Sequence, residues 1–168
     1  MPKIIENLET RLMEEDQRQI ESVGYSATTI SSVAQACGVG VGTVYNYYPS
    51  KDMLVASYML NDWRDCMNVI QTAGETAQSP KPVVRCIYEQ IRTFTNRHSA
   101  VIRDDAASAG FSSVYNRYHT KLRSLLAAHL RRFCPDDFTA EFITECLLSW
   151  AMTVKDFETI YSMIRKLF

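Results

Sequence analysis

Residues 38–51 read GVGVGTVYNYYPSK. Glycines at 38, 40 and 42 disfavour a helix, whereas aromatics at 45, 47 and 48 belong in a core or an interface. Pro49 stops any helix leading into it, and Ser50 is a good N-cap for a new one. The stretch therefore reads as a tight turn, a short helix over about 41–48 and the start of another helix. Upstream, TTISSVAQACG (28–38) reads as a second short helix, capped by Thr28 or Thr29 and ended at Cys37-Gly38, with Ile30, Val33 and Ala34 inward. Two short helices joined by a glycine-containing turn form a helix-turn-helix, whose second helix enters a DNA major groove.

That placement explains the odd composition. Gly40 and Gly42 remove side chains where backbone N–H groups would approach an anion, and Thr43 adds a short hydroxyl at the same end. Val44 and Tyr48, four apart, pack inward. Tyr45 and Tyr47 point outward with hydroxyls for phosphates, and Lys51 can neutralise one.

The remainder is helical in spacing, with no convincing period-two run. Breaks at Gly24, Pro49, Gly74, Gly110 and Pro135 divide the chain into about nine helices. The first covers 3–23 with an interrupted stripe of Ile5, Leu8, Leu12, Ile20 and Val23. The fourth runs from Lys51 to about Ala73. GETAQSPKP (74–82) reads as a linker, with helices after it beginning near 83, 99, 112 and 137. Asp156 can cap a ninth helix. The expected fold is all-α: a helix-turn-helix unit over residues 1–50 and a helical domain over 51–168.

Composition narrows the function classes. The 168 residues carry a net charge of −1, and the first 20 residues are too polar for a signal peptide. No run of about 18 apolar residues occurs, so no membrane partner is expected and the chain belongs in the cytoplasm. The five widely spaced cysteines, without a C-x-x-C pair, suggest neither disulfides nor zinc. His98, His119 and His129 have no metal-ligand spacing, and no catalytic constellation stands out. No cofactor and no enzymatic activity are expected.

TTISSVAQACGVGVGTVYNYYPSKDML (28–54) resembles the DNA-binding signature of the TetR/AcrR transcriptional regulators. GYSA before it also matches, and the specific likeness covers about residues 20–60. The resemblance implies that Thr29 touches a phosphate and that Gly40, Val41, Gly42 and Thr43 form the groove-facing start of the recognition helix. It further implies that Tyr45 and Tyr47 contact phosphates, Asn46 reaches a base edge and Lys51 clamps a phosphate. The family often has serine where this chain has Gly40, and small and apolar residues where it has EEDQRQ (14–19).

Residues 1–57 contain four basic and seven acidic side chains, a net of −3. Affinity for DNA comes largely from counterion release, so weak non-specific binding with a modest salt dependence is expected.

For the second half the resemblance implies an effector-binding and dimerisation domain. Trp63, Met67, Tyr88, Arg92, Tyr115, His119 and Trp150 are the candidate effector pocket, with plain core filling as the alternative. Phe142, Ile143, Leu147, Trp150, Ile160, Ile164 and Phe168 are the candidate dimer interface. The expected partners are double-stranded operator DNA, a second copy of the chain and an unknown small-molecule effector. The leading expectation is a homodimeric, ligand-responsive regulator, most naturally a repressor, of a palindromic operator. The alternative is a helical ligand-binding or protein-interaction module with little DNA affinity.

Overall fold

The computed structural model describes residues 7–153 and 156–168, and the side chains of all of these except 108–119. Its α-helices are α1 (Leu8–Val23), α2 (Ile30–Ala36), α3 (Val41–Tyr47), α4 (Lys51–Thr76), α5 (Pro80–Arg97), α6 (Ser99–Ile102), α7 (Asp105–Ala128), α8 (Asp137–Ala151) and α9 (Phe157–Ile164). Single 3₁₀ turns lie at Arg131–Phe133 and Arg165–Leu167. The all-helical class and the element order agree with the sequence reading.

The chain divides into two compact units. The first takes the chain up to Asn61 together with His98–Ser112, and the second takes Asp62–Arg97 and Ser113–Phe168. The first unit thus extends past residue 50 and borrows a segment from the middle of the sequence.

In the first unit, α1 presents Leu8, Leu12, Asp16 and Ile20 inward, each four residues from the last. Leu8 and Leu12 join Ile30, Val33, Val44 and Leu54 in one apolar cluster. Ile20 joins Tyr25, Val55, Tyr58, Val101 and Ala107 in another. The interruption in the stripe is therefore a buried carboxyl. Val23, read as part of that stripe, is exposed.

Local chemistry fixes the turns. Gly24 adopts φ 89°, and its N–H closes α1 on the Ile20 carbonyl at 2.9 Å. Thr29 caps α2 in a reciprocal box with Ser32: each hydroxyl accepts from the other's backbone N–H, at 3.0 and 3.1 Å. Ser32 also donates to Gln19 Oε1 at 2.6 Å, tying α2 to α1. Gly38, at φ 69°, ends α2 in a Schellman arrangement: Val39 N–H bonds Ala34 O at 3.0 Å, and Gly38 N–H bonds Gln35 O at 3.1 Å. Ser50 caps α4 through Met53 N–H at 3.2 Å.

The second unit is built around Ile70, Val84, Ile87, Leu126, Ile143 and Leu147. The stretch read as a linker is mostly helix. The α4 helix continues through Gly74 to Thr76, and α5 begins on Pro80. Proline is tolerated in a first helical turn, where no N–H is needed. A Cβ on Gly74 would sit 2.8 Å from His129 Nδ1, so glycine here permits close packing rather than a break. Arg132 Nη2 donates to the Gly74 carbonyl at 2.6 Å and to that of Ala77, occupying carbonyls at the end of α4. Gly110, also read as a break, falls inside α7. Asp136 and Asp156 cap α8 and α9 through Thr139 N–H at 2.7 Å and Thr159 N–H at 3.0 Å.

Candidate nucleic-acid interface

The α3 helix is two-faced. Val44 is fully buried and Tyr48, just past the helix end, is nearly so, whereas Tyr45 and Tyr47 are each about half exposed. Tyr48 also reaches α1, its hydroxyl donating to Glu9 Oε1 at 3.4 Å. Val41, Gly42 and Asn46 are exposed and Thr43 is half-buried. The predicted division of faces is the one observed.

The glycines give the sharpest signal. A Cβ on Gly42 would meet nothing within 4 Å, and one on Gly40 only Thr43 Oγ1 at 3.9 Å. Gly40 has an ordinary φ of −72°. Neither packing against the described residues nor backbone conformation demands glycine at these positions. Each costs helix stability or a cap.

Thr29, Val41, Tyr45 and Lys51 line one open surface depression together with Ser26, Ser31 and Ser50. Four predicted residues, from the cap of α2, from α3 and from the start of α4, thus converge. Ser26 and Ser31 were not singled out from sequence, although the hydroxyl-rich SATTISS (26–32) was a usable signal, and Ser50 was read only as a helix cap. The Thr29 oxygen accepts from Ser32 N–H, which leaves its O–H proton for an outside acceptor.

Lys51 is differently placed from the expected phosphate clamp. Its Nζ donates to Tyr25 O at 2.7 Å and Thr28 O at 3.0 Å, and lies 3.7 Å from the centre of the Tyr25 ring. The Tyr25 hydroxyl donates to Asp52 Oδ1. Consecutive residues of α4 therefore hold both ends of Tyr25. Arg11 donates to Cys37 O at 3.0 Å, and Arg18 pairs with Glu15 at 2.6 Å. Hydrogen bonds from Arg18 and then Gln19 hold the Glu15 carboxyl down at about 2. Of the four basic side chains described in the first unit (Arg11, Arg18, Lys51 and Arg103), three are engaged internally.

The second-unit candidates separate. Trp63 packs edge-on to Phe94, with centroids 5.2 Å apart. Tyr88 is buried beside Phe157, and its hydroxyl accepts from Arg92 at 2.8 Å. Met67 is half-buried against the same core. Trp150 is about half exposed and lines no interior with them. The side chains of Tyr115 and His119 lie outside the described residues. The interface set needs correction: Ile143, Leu147, Ile160 and Ile164 are core residues of their own unit, because they occupy the inward stripes of α8 and α9. Phe168 is half-buried on that core. Phe142 and Trp150 do face outward, joined by Phe138 and Met163, which were not predicted. Phe138 and Phe142 stack with centroids 6.4 Å apart.

Among the described residues, no helix is long and apolar enough to cross a membrane, and no group of three or more histidine, cysteine or carboxylate side chains could hold a metal.

Residues 17–58 match the family model described as bacterial regulatory proteins, tetR family. Solved structures share the fold over most of the chain. A TetR/AcrR-family transcriptional regulator from Thermobifida fusca is 15% identical with a TM-score of 0.62, covering 95% of both chains. The TetR family repressor AlkX from a Dietzia strain is 16% identical with a TM-score of 0.58, covering 95% of this chain and 96% of its own. PfmR from Thermus thermophilus is 18% identical with a TM-score of 0.53, covering 94% and 93%. No curated protein matches the chain. The chain carries a TetR-family helix-turn-helix and has the all-helical fold of TetR/AcrR regulators.

Proposed function

We propose that this chain is a transcriptional regulator of the TetR/AcrR kind, a homodimeric, ligand-responsive repressor of a palindromic operator. In this reading, residues 1–50 carry operator contact, and residues 51–168 carry effector binding and pairing. The observation that supports operator contact most directly is the pair Gly40 and Gly42, which nothing inside the described chain requires. Thr29, Tyr45 and Tyr47 contact phosphates, while Val41, Thr43 and Asn46 read base edges.

Pairing is supported by large apolar side chains left in solvent on the second unit: Phe138, Phe142, Trp150 and Met163. A two-fold dimer sets two recognition helices about 34–36 Å apart, matching successive major grooves and a palindromic site. Trp63, Met67, Tyr88 and Arg92 are the effector candidates, and an effector acts by shifting the population away from the DNA-competent spacing. The similar AlkX is described as a repressor, which agrees with this sign of action.

Gel shifts with the DNA upstream of the gene, run at low salt, test the reading. Replacing Tyr47 weakens binding to every sequence, whereas replacing Thr43 or Asn46 changes sequence preference. A wild-type chain that retards no DNA at low salt sinks it. The internal engagement of Arg11, Arg18 and Lys51 favours a second reading, a helical interaction module with little DNA affinity. The same gel shift separates the two.

A further inference from the structure

The helix-turn-helix carries no charge of its own. Residues 24–50 contain no acidic or basic side chain, and Lys51, the first after them, is held by the Tyr25 and Thr28 carbonyls. The groups that α3 turns outward are correspondingly few. Gly42 and Asn46, four apart, lie on the face opposite the buried Val44. Asn46 is exposed, and its amide bonds to nothing else among the described residues. A helical side chain leans over the turn before it, here the turn of Gly42, where even a Cβ would meet nothing within 4 Å. The Asn46 amide therefore has an open approach to a flat edge. Val41 is exposed in the first turn, the end that a recognition helix aims at base edges.

Each base pair shows the major groove its own pattern of donors, acceptors and methyl groups. Guanine O6 and N7 are read by the paired donors of an arginine or by a lysine, and cytosine N4 by a carboxylate. The α3 helix has none of these. A carboxamide carries a donor and an acceptor side by side, which match adenine N7 and N6. An apolar side chain matches the thymine methyl group. We propose that this chain reads A·T base pairs in the major groove of its operator, with Asn46 on adenine N6 and N7 and Val41 on a thymine methyl. The inference rests on the DNA-binding reading and names the sequence class which that reading leaves open.

The other polar groups exposed on the helix pair do not reverse this preference. Thr43, half-buried, and Ser31 carry hydroxyls that both donate and accept, so they suit either kind of pair. Gln35, the other exposed carboxamide, has the same base preference as Asn46. Arg11 and Arg18, the nearest guanidinium groups in sequence, are on α1 and bonded to Cys37 O and Glu15. An A·T preference can also come from duplex shape, read without touching base edges. The adenine N7 and the thymine methyl both lie in the major groove, so bases altered at those atoms separate contact from shape.

The test is selection by the full chain from a randomised duplex library of about 30 base pairs, room for two half-sites one helical turn apart. Fluorescence anisotropy then follows binding to the enriched duplex and to copies with one altered base per half-site. Each enriched half-site holds A·T pairs at the contacted positions. Replacing the contacted adenine by 7-deazaadenine, which lacks the N7 acceptor, weakens wild type about tenfold and Asn46→Ala not at all. Replacing the contacted thymine by uracil, which lacks only the methyl, weakens wild type about fourfold, the effect of one buried methyl group. Val41→Ser does not distinguish the two bases. Asn46→Arg moves the preferred base at its position to guanine, a gain that a misfolded variant cannot show. Selection of guanine or cytosine at the contacted positions overturns the assignment and leaves the DNA reading standing. So does an A·T preference indifferent to both altered bases. A wild-type chain that retains no duplex at low salt overturns both.

Discussion

Lys51 donates from Nζ to the carbonyl oxygen of Tyr25 at 2.7 Å, while its neighbour Asp52 accepts the hydroxyl of the same tyrosine. This clamp fixes the turn that delivers Thr29 to the start of α2. Lys51→Met should cost about 1–3 kcal/mol, the range for hydrogen bonds to a charged group with buried acceptors left unpaired. Urea unfolding measures it. An unchanged midpoint would mean that the turn holds without the clamp.

Gly42→Ala should separate stability from binding. Alanine is a better helix residue than glycine by roughly 0.5–1 kcal/mol, and a Cβ here meets nothing within 4 Å. The variant is expected to melt higher and bind DNA more weakly. Tighter or equal binding would remove the reason for glycine at this position.

The pH dependence of stability has a definite sign. The Asp16 carboxyl is raised from 3.8 to about 7 in the folded chain, so the native state holds a proton that the unfolded state has released. Its contribution is therefore lost as pH rises from about 4 toward about 7, and is level above that. Asp16→Asn should flatten this part of the profile and stabilise the chain near pH 8. Thermal melts across that range check it, and parallel profiles would contradict the burial argument.

On α8, neighbouring positions should behave oppositely. Phe142→Asp, on the exposed side, should yield a folded monomer by light scattering. Ile143→Ala, fully buried, should cost about 2–5 kcal/mol without changing the assembly of whatever remains folded. A Phe142→Asp chain that still dimerises would move the pairing surface elsewhere.

Gly74→Ala should destabilise through His129, because the added Cβ would lie 2.8 Å from Nδ1. Combining it with His129→Ala should recover much of the loss. A double-mutant cycle reads the coupling directly, and simple additivity would mean that the helices shift apart freely.

The helix-turn-helix was legible because its signals are local. Thr29, Gly38 and Ser50 each determine a cap within a few residues, and the structure uses all three. The faces of α3 came from four-residue spacing. The pairing surface was harder to read: α8 carries apolar residues on both sides, and spacing alone does not say whether Ile143 or Phe142 faces the core. Gly74 read as a break because sequence shows lost helix propensity and not His129, the neighbour that requires a small residue there. Asp16 was hidden by its charge, since a carboxylate in EEDQRQ is expected to face water. The serines at 26, 31 and 50 come together only through tertiary structure.

One continuous helix, α4, gives residues up to Asn61 to one unit and the rest to the other. A fragment cut after residue 50 would lack Leu54, Val55 and Tyr58, and with them one wall of both apolar clusters behind the recognition helix. Excising the DNA reader as a minimal module is thus expected to fail unless the excision carries α4 and the distant segment around Val101 and Ala107 with it. Grafting this head onto another sensor would need two splice points where the order of the chain suggests one.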